Sequence, residues 1–417
     1  MSDILLITAN VGSLFDENTV IKEQWKEEIV GEITRRESKF VALHFQETGG
    51  KDYKTYSKDV VLVINDLFSL LKENGFSSLR TYLDIDYEKI DEYTALGTVI
   101  FVHTDWIDHV KQYKFESSSN GTYESLTVDE TIVEDRLSDS IRVRKEKFVK
   151  DFWPTIRWGR KGFLHTRWQI HDRVIDLINI HLFHDESNLE LTQNPLLYSQ
   201  NRKKALNYTI ENYNLWKQDN SSGDSCLFIF GDFNFRLKTD SFLMKITKDQ
   251  EIHEIEENTK SMDDMDGFLN PTVNNHRESL KRNLSAIEFR QKDDKLDDED
   301  VKWGFIVLRI EKKKFDYYDP QCFVTNWHQY REDDTEPGEY DLKEFPIDFP
   351  PTYPWSEDPD CSDSYMKTRA PAWCDRVLMN DTAFESISQI PRPSYNCIGF
   401  QACMGDHKPV ALAFSFL

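Results

Sequence analysis

No run in this chain is apolar enough for long enough to cross a bilayer. The best candidate, 60–71, is broken by Asn65 and Asp66 and falls short of the about 20 residues a span needs. The first ten residues carry neither a basic n-region nor a signal-type apolar core, so no secretion signal is expected. Positive charge is scarce as well. Lys and Arg total 51 against 74 Asp and Glu, a net charge of −23 that repels nucleic acid and anionic membranes at long range and excludes a non-specific nucleic-acid coat. The six cysteines (Cys226, Cys322, Cys361, Cys374, Cys397 and Cys403) include no CxxC pair and no regular spacing, which points to thiols in a reducing cytosol. What is there is a folded composition: 417 residues, 39% hydrophobic and 13% aromatic, which excludes disorder, collagen-like repeats and low-complexity scaffolds.

Runs rich in β-branched and aromatic residues at 4–9, 40–45, 96–103, 162–170, 174–182, 226–230 and 409–414 predict strands, and the pair 162–170 and 174–182 predicts a hairpin. Between them, Ile21, Trp25, Ile29 and Ile33, then Val60, Ile64, Leu67, Phe68 and Leu71, then Leu206, Ile210 and Tyr213 recur at helical spacing and predict core-facing helices. This mixture favours two packed sheets with outer helices over a doubly wound sheet. The segment at about 240–350 differs in texture. It is charge-rich, with an acidic run (Asp293, Asp294, Asp297, Asp298, Glu299, Asp300), and reads as a solvated insertion decorating one catalytic domain that spans 1–417.

Polar residues gather at the predicted strand ends. FIFGDFNFRL delivers Asp232, Asn234 and Arg236 just beyond an apolar strand: an acid that can take a proton from water, an amide that can orient it and a cation for phosphate oxygens. Gly, Asp and Asn also form turns, so this segment alone is equally a loop. Asn10, Gln46 with Glu47, and Asn179, His181 and His184 follow three other strands, and Asp406 with His407 precedes the last. Carboxylates with an Asn suit a hard ion such as Mg²⁺, whereas two His without a Cys cluster make no structural zinc site. The set fits a metal-assisted phosphate-ester hydrolase.

The ordered motifs around Asn10, Gln46 and Glu47, NIHL, GDFNFR and GDHKPV resemble those of the endonuclease/exonuclease/phosphatase superfamily. PAWCDRVL at 371–378 narrows the resemblance to inositol polyphosphate 5-phosphatases. RKGF, TRW, FPPTYP and NIHLFHD look most like the type I enzymes, which act on soluble inositol phosphates. The resemblance implies a four-layer α/β sandwich of two facing mixed β-sheets flanked by helices. It also implies that Glu47 binds Mg²⁺ with help from Asn10, and that Asp406 lies close to the metal. Asp232 would activate water, Asn234 would orient it, His181 and His407 would contact the phosphate, and Asp375 would hold the His407 tautomer. A basic island at 157–168, with Arg157, Arg160 and Lys161, joins Arg236, Tyr353, Arg369 and Arg376 as candidates to bind the substrate or support its pocket.

Two departures bear on substrate choice. Where lipid 5-phosphatases have Lys after the Tyr of the FPPTYP segment, this chain has Pro354, and its last residues carry no CaaX prenylation box. The resulting expectation is a cytoplasmic enzyme, or one peripheral at membranes, with no stable membrane anchor and no nucleic-acid partner. It would remove the 5-phosphate of inositol 1,4,5-trisphosphate and inositol 1,3,4,5-tetrakisphosphate and so end a calcium-release signal. The alternatives are a phosphoinositide lipid 5-phosphatase, a superfamily nuclease and a catalytically silent scaffold.

Overall fold

The structure, a computed structural model, describes residues 2–15, 19–115, 121–150, 159–220, 223–248, 250–256, 284–292 and 303–417. Arg157 and the acidic run from Asp293 to Asp300 lie outside the described residues.

Among the described residues, strands, numbered in chain order, form two seven-stranded sheets. The first contains β1 (Ile4–Asn10), β2 (Phe40–Gln46), β3 (Phe76–Leu83), β4 (Gly97–His103), β7 (Thr131–Glu134), β17 (Ser394–Cys397) and β18 (Val410–Phe414), in the order β17-β18-β1-β2-β4-β3-β7. The second contains β5 (Val110–Lys114), β6 (Thr122–Ser125), β8 (Arg144–Lys147), β9 (Gly162–Ile170), β10 (Arg173–His181), β11 (Cys226–Asp232) and β16 (Asp375–Met379). Its order is β16-β11-β10-β9-β5-β6, with β8 also on β9.

The period-2 alternation of side chains sorts each central strand between two cores. Ile4, Leu6, Phe40 and Ala42 of the first sheet meet Leu164, Trp168, Leu177 and Phe228 of the second in a shared inner core. On the outer face of the first sheet, Leu5, Ile7 and Leu43 pack on Trp25, Ile29, Ile64 and Leu67 from the helices Thr19–Arg36 and Asp59–Lys72. On the outer face of the second, Ile178, Ile180 and Ile229 pack on Ala205, Leu206 and Tyr213 of the helix Leu197–Asn220. The result is helix, sheet, sheet, helix: the four-layer α/β sandwich.

The segment read as a charge-rich insertion contains a sheet that its sequence texture does not announce. After the helix Thr239–Ile246 come β12 (Glu251–Glu256), β13 (Leu284–Lys292), β14 (Trp303–Glu311) and β15 (Lys314–Tyr317), a four-stranded antiparallel sheet. One face buries Ile287, Phe289, Leu308, Ile310, Phe315 and Tyr317 against Phe323, Trp327, Trp355 and Trp373. The charges lie on the other face, where Arg290 and Arg309 both pair with Glu288. The short alternations IEFR in β13 and LRIE in β14 are a half-buried sheet signal, and the acidic run between them masks it.

Strand register gathers the polar strand ends at one rim. In the first sheet β1 runs parallel to β2, opposing Asn10 to Gln46, and antiparallel to β18, which brings the segment before Val410 beside Asn10. In the second, parallel β10 and β11 oppose His181 to Asp232, and antiparallel β16 opposes Asp232 to Asp375. Gly231 is required for this close approach, because a Cβ there would come within 1.9 Å of the Ile180 carbonyl. Gln46 and Asn179, both expected among the strand-end functional groups, are instead turned inward. Gln46 Nε2 donates to Asn179 Oδ1 at 2.8 Å, and Asn179 Nδ2 donates to the carbonyls of Gly97 (2.7 Å) and Phe45 (3.1 Å), a buried polar tie between the sheets.

Candidate active site

The rim opens into a pocket of about 780 Å³ whose lining includes Asn10, Glu47, Lys161, Asp232, Asn234, Arg236, Tyr353, Arg369, Asp406 and His407. Asp232 lies at its centre. Its Oδ2 accepts from Asn10 Nδ2 at 3.0 Å and lies 3.2 Å from His181 Nε2 and 4.0 Å from His407 Nε2, while Oδ1 accepts the Asn234 backbone N–H at 2.9 Å. Burial alone would raise this carboxyl, but His407, His181 and Lys161 outweigh it and hold Asp232 well below the usual range. His407 Nδ1 meets Asp375 Oδ2 at 2.8 Å, and Thr352 Oγ1 donates to the same oxygen at 2.7 Å. Burial disfavours the imidazolium, yet Asp375 and Asp232 raise His407 to about 10.

On the other side of Asp232, Lys161 Nζ touches His181 Nε2. Burial lowers Lys161 to about 8, against the pull of Glu47 and Asp232, and burial and Lys161 together lower His181. Glu47 has a left-handed backbone, φ 58°, as does Asn234, φ 52°. Non-glycine residues held there signal a constraint imposed by the surroundings. Burial works to raise the Glu47 carboxyl, but Lys161, His181 and Arg160 bring it down to about 2, so it is anionic. Arg160 reaches Glu47 Oε2 at 3.7 Å, donates to the Gly50 carbonyl at 3.0 Å and lies over the Tyr53 ring, bracing the turn that carries Glu47.

Three side chains have ligand atoms within 4.8 Å of one another: Asp232, Asp375 and His407. A hard cation there would have to break the His407 to Asp375 hydrogen bond and face an imidazolium, so this trio is a poor metal site. Glu47 and Asn10 fit better. A Cβ on Gly12 would stand 2.9 Å from Glu47 Oε2 and 3.2 Å from Asn10 Oδ1, so glycine leaves clear the space shared by two hard oxygens. Asp406 faces the same space, and burial, with the like charges of Glu47 and Glu357, raises its carboxyl against the pull of His407. Converging anions of this kind fit a divalent cation with oxygen ligands.

The expected substrate-binding residues divide. Lys161, Arg236, Tyr353 and Arg369 line the pocket. The Arg236 guanidinium lies over the Tyr353 ring, which packs on His407 at 4.5 Å between centroids. Arg369 supports the wall more than it opens onto it, donating to the carbonyls of Asp185, Glu186, Lys312 and Thr368. Arg376 is a correction. Its guanidinium is fully buried away from the pocket, donating to the Trp373 carbonyl at 2.8 Å and pairing with Glu344 at 2.9 Å and with Asp334. Sequence reading missed Thr352, although FPPTYP contains it, and Ser13, whose Oγ lies 2.6 Å from Glu357 and 2.9 Å from Asp406. It also missed Lys51, Lys312 and Lys313, which line the pocket mouth together with His184. The run of lysines at 312–314 was the available signal for two of them.

A model of the endonuclease/exonuclease/phosphatase family 2 matches residues 7–277 and 328–413. The chain belongs to that family. A Caenorhabditis elegans protein named probable type I inositol 1,4,5-trisphosphate 5-phosphatase is 44% identical over 425 residues, covering 100% of both chains. The human protein named inositol polyphosphate-5-phosphatase A is 36% identical over 422 residues, covering 99% of this chain and 93% of its own. These relatives place the chain with the type I inositol polyphosphate 5-phosphatases. Among solved structures, the 5-phosphatase domain of SPsynaptojanin, in complex with inositol (1,4)-bisphosphate and a calcium ion, superposes with a TM-score of 0.52 at 14% identity. That match covers 99% of this chain and 83% of the other, a likeness of fold.

Proposed function

We propose that this 5-phosphatase is Mg²⁺-dependent and cytoplasmic. On this reading it removes the 5-phosphate of soluble inositol 1,4,5-trisphosphate and inositol 1,3,4,5-tetrakisphosphate, ending a calcium-release signal. It acts as one catalytic domain, 1–417, whose insertion at about 240–350 frames the pocket. The observation that carries the reading is the pairing of two features in a chain of net charge −23: the hydrogen-bonded Asn10, Asp232, His181 and Asp375, His407 groups on the pocket floor, and the cations Lys161, Arg236, Lys312 and Lys313 around it.

A phosphomonoester dianion repels an incoming oxygen nucleophile, so positioning and charge neutralisation supply most of the acceleration. When bound at Glu47, Asn10 and Asp406, Mg²⁺ would neutralise phosphate charge. Asp232 holds the attacking water in line. Its carboxylate, kept ionised by His407, His181 and Lys161, accepts the proton that the water gives up as the new P–O bond forms. Asn234 is held by its bonds to Asp232 and to the Leu182 carbonyl and helps to position that water. His407, charged and braced by Asp375, and Lys161 with His181 donate to the phosphoryl oxygens.

The test is phosphate release with Mg²⁺ from inositol 1,4,5-trisphosphate, inositol 1,3,4,5-tetrakisphosphate, vesicle-borne phosphatidylinositol 4,5-bisphosphate and abasic DNA, with Asp232→Asn as the control. Turnover confined to the two soluble inositol phosphates and lost in the variant is the expected result. Equal or faster hydrolysis of the vesicle lipid would replace the soluble-substrate reading with the lipid one.

A further inference from the structure

The two-residue turn between β14 and β15 is made of Lys312 and Lys313, with Glu311 opposing Lys314 at its base. Both lysines are exposed and both line the pocket mouth, whereas Lys161 and Arg236, which line it too, are buried. The turn is fastened to the sandwich by its backbone. Asn188 is a buried residue whose Nδ2 donates to the carbonyls of Glu311 (3.2 Å), Lys314 (3.0 Å) and Thr368 (3.1 Å), and whose backbone N–H donates to the Lys312 carbonyl at 3.0 Å. Arg369 Nη1 donates to that same Lys312 carbonyl at 3.2 Å. The backbone is therefore held while the side chains stay in solvent. Lys314, on the strand, pairs with Asp316, whereas among the described residues neither Lys312 nor Lys313 has an ion-pair partner. Two unneutralised ammonium groups at a pocket mouth, in a chain of net charge −23, call for an anionic occupant.

The family match breaks off at residue 277 and resumes at 328, so the hairpin lies outside the part of the chain shared with the wider family, while every residue proposed above for the chemistry lies inside it. An element added to a shared phosphoryl-transfer floor can change which phosphates are gripped without changing how one is removed. We propose that this hairpin is a specificity arm, in which Lys312 and Lys313 bind the ring phosphates that are not being cleaved and so select multiply phosphorylated inositol rings. This rests on the reading of the site as an inositol polyphosphate phosphatase. The ammonium groups act as point charges on a fixed turn, so their contribution grows with the number of phosphates on the ring.

The test compares wild type with Lys312→Gln/Lys313→Gln and with Lys312→Arg/Lys313→Arg. Steady-state kinetics use inositol 1,4,5-trisphosphate and a simple aryl monophosphate, and equilibrium binding of inositol hexakisphosphate is measured by calorimetry without metal at two salt concentrations. Exposed side chains on a turn carry little stability, so all three proteins fold. For the Gln pair, the ratio of kcat/KM for the trisphosphate to that for the monophosphate is expected to fall about tenfold or more, as loss of hydrogen bonds between charged groups would give. Hexakisphosphate binding should weaken similarly with a shallower salt dependence, and the Arg pair should restore both. An unchanged ratio together with unchanged hexakisphosphate binding overturns the arm. If wild type turns over no inositol phosphate, the reading of the site fails by itself, and the binding comparison still decides the arm.

Discussion

Replacing Arg376 by Met separates a structural ion pair from a substrate contact. The guanidinium pairs with two carboxylates, Asp334 and Glu344, whose side chains are only 4% and 15% exposed, so water cannot take its place. Glu344 also accepts from the Tyr395 hydroxyl at 2.7 Å, and its carboxyl is already raised by burial, against the pull of Arg376. Leaving buried charges unpaired costs about 3–5 kcal/mol. With a urea slope of about 3 kcal/mol/M, the unfolding midpoint falls by about 1–1.7 M. Tryptophan fluorescence in urea measures this directly. The deficit should shrink as pH falls from 7 towards 5, because a carboxyl whose folded pKa lies above its unfolded value binds more protons when folded. Adding Glu344→Gln and Asp334→Asn to the same protein removes the orphaned charges and should recover at least half of the loss. The folded fraction of Arg376→Met should keep the wild-type KM. An unchanged midpoint with KM raised tenfold would refute the argument and return Arg376 to the substrate.

Glu47→Gln replaces an anionic ligand by a neutral amide, so the Mg²⁺ concentration giving half-maximal activity should rise by about tenfold or more, read from a metal titration of phosphate release. In Asp375→Asn the amide oxygen can still accept from His407 and Thr352 while the charge is gone. The kcat should therefore drop by about 10²–10⁴ with the fold intact by circular dichroism, as when the orienting acid of a hydrolytic triad is neutralised. His44 is buried, stacked on Phe230 at 3.6 Å and bonded through Nδ1 to the Phe230 carbonyl, and burial lowers it to about 3. Its folded pKa lies below its unfolded value of about 6.5, so the stability it permits is complete above that pH and is lost as pH falls towards 3, by up to about 1.4 kcal/mol per pH unit. His44→Gln should flatten the fall in urea midpoint between pH 6.5 and 5, and equal slopes in the two proteins would contradict this.

The strands that bear the rim were legible because they are buried on both faces and read as apolar runs, and their polar ends stood out against them. The reach of Asp375 to His407, across 32 residues of chain, came from motif resemblance alone, since no local pattern encodes it. Arg376 shows the limit: its partners Asp334 and Glu344 lie 42 and 32 residues away in a charge-rich segment, and nothing local separates a buried arginine from a substrate-facing one. Gln46 and Asn179 misled for a related reason. An amide at a strand end looks the same in sequence whether it faces the rim or ties two sheets together.

Asn10 and Glu47 lie near the start of the chain, whereas His407 precedes β18, which takes an interior place between β1 and β17 in the first sheet. Until β18 docks, β1 lacks one neighbour and His407 has no fixed position, so a nascent chain can hold most of its sandwich and still be unable to dephosphorylate anything. Catalytic competence therefore waits for β18, and a stalled or clipped chain without that strand would be a silent protein with an open sheet edge, the kind of surface that chaperones and aggregates recognise.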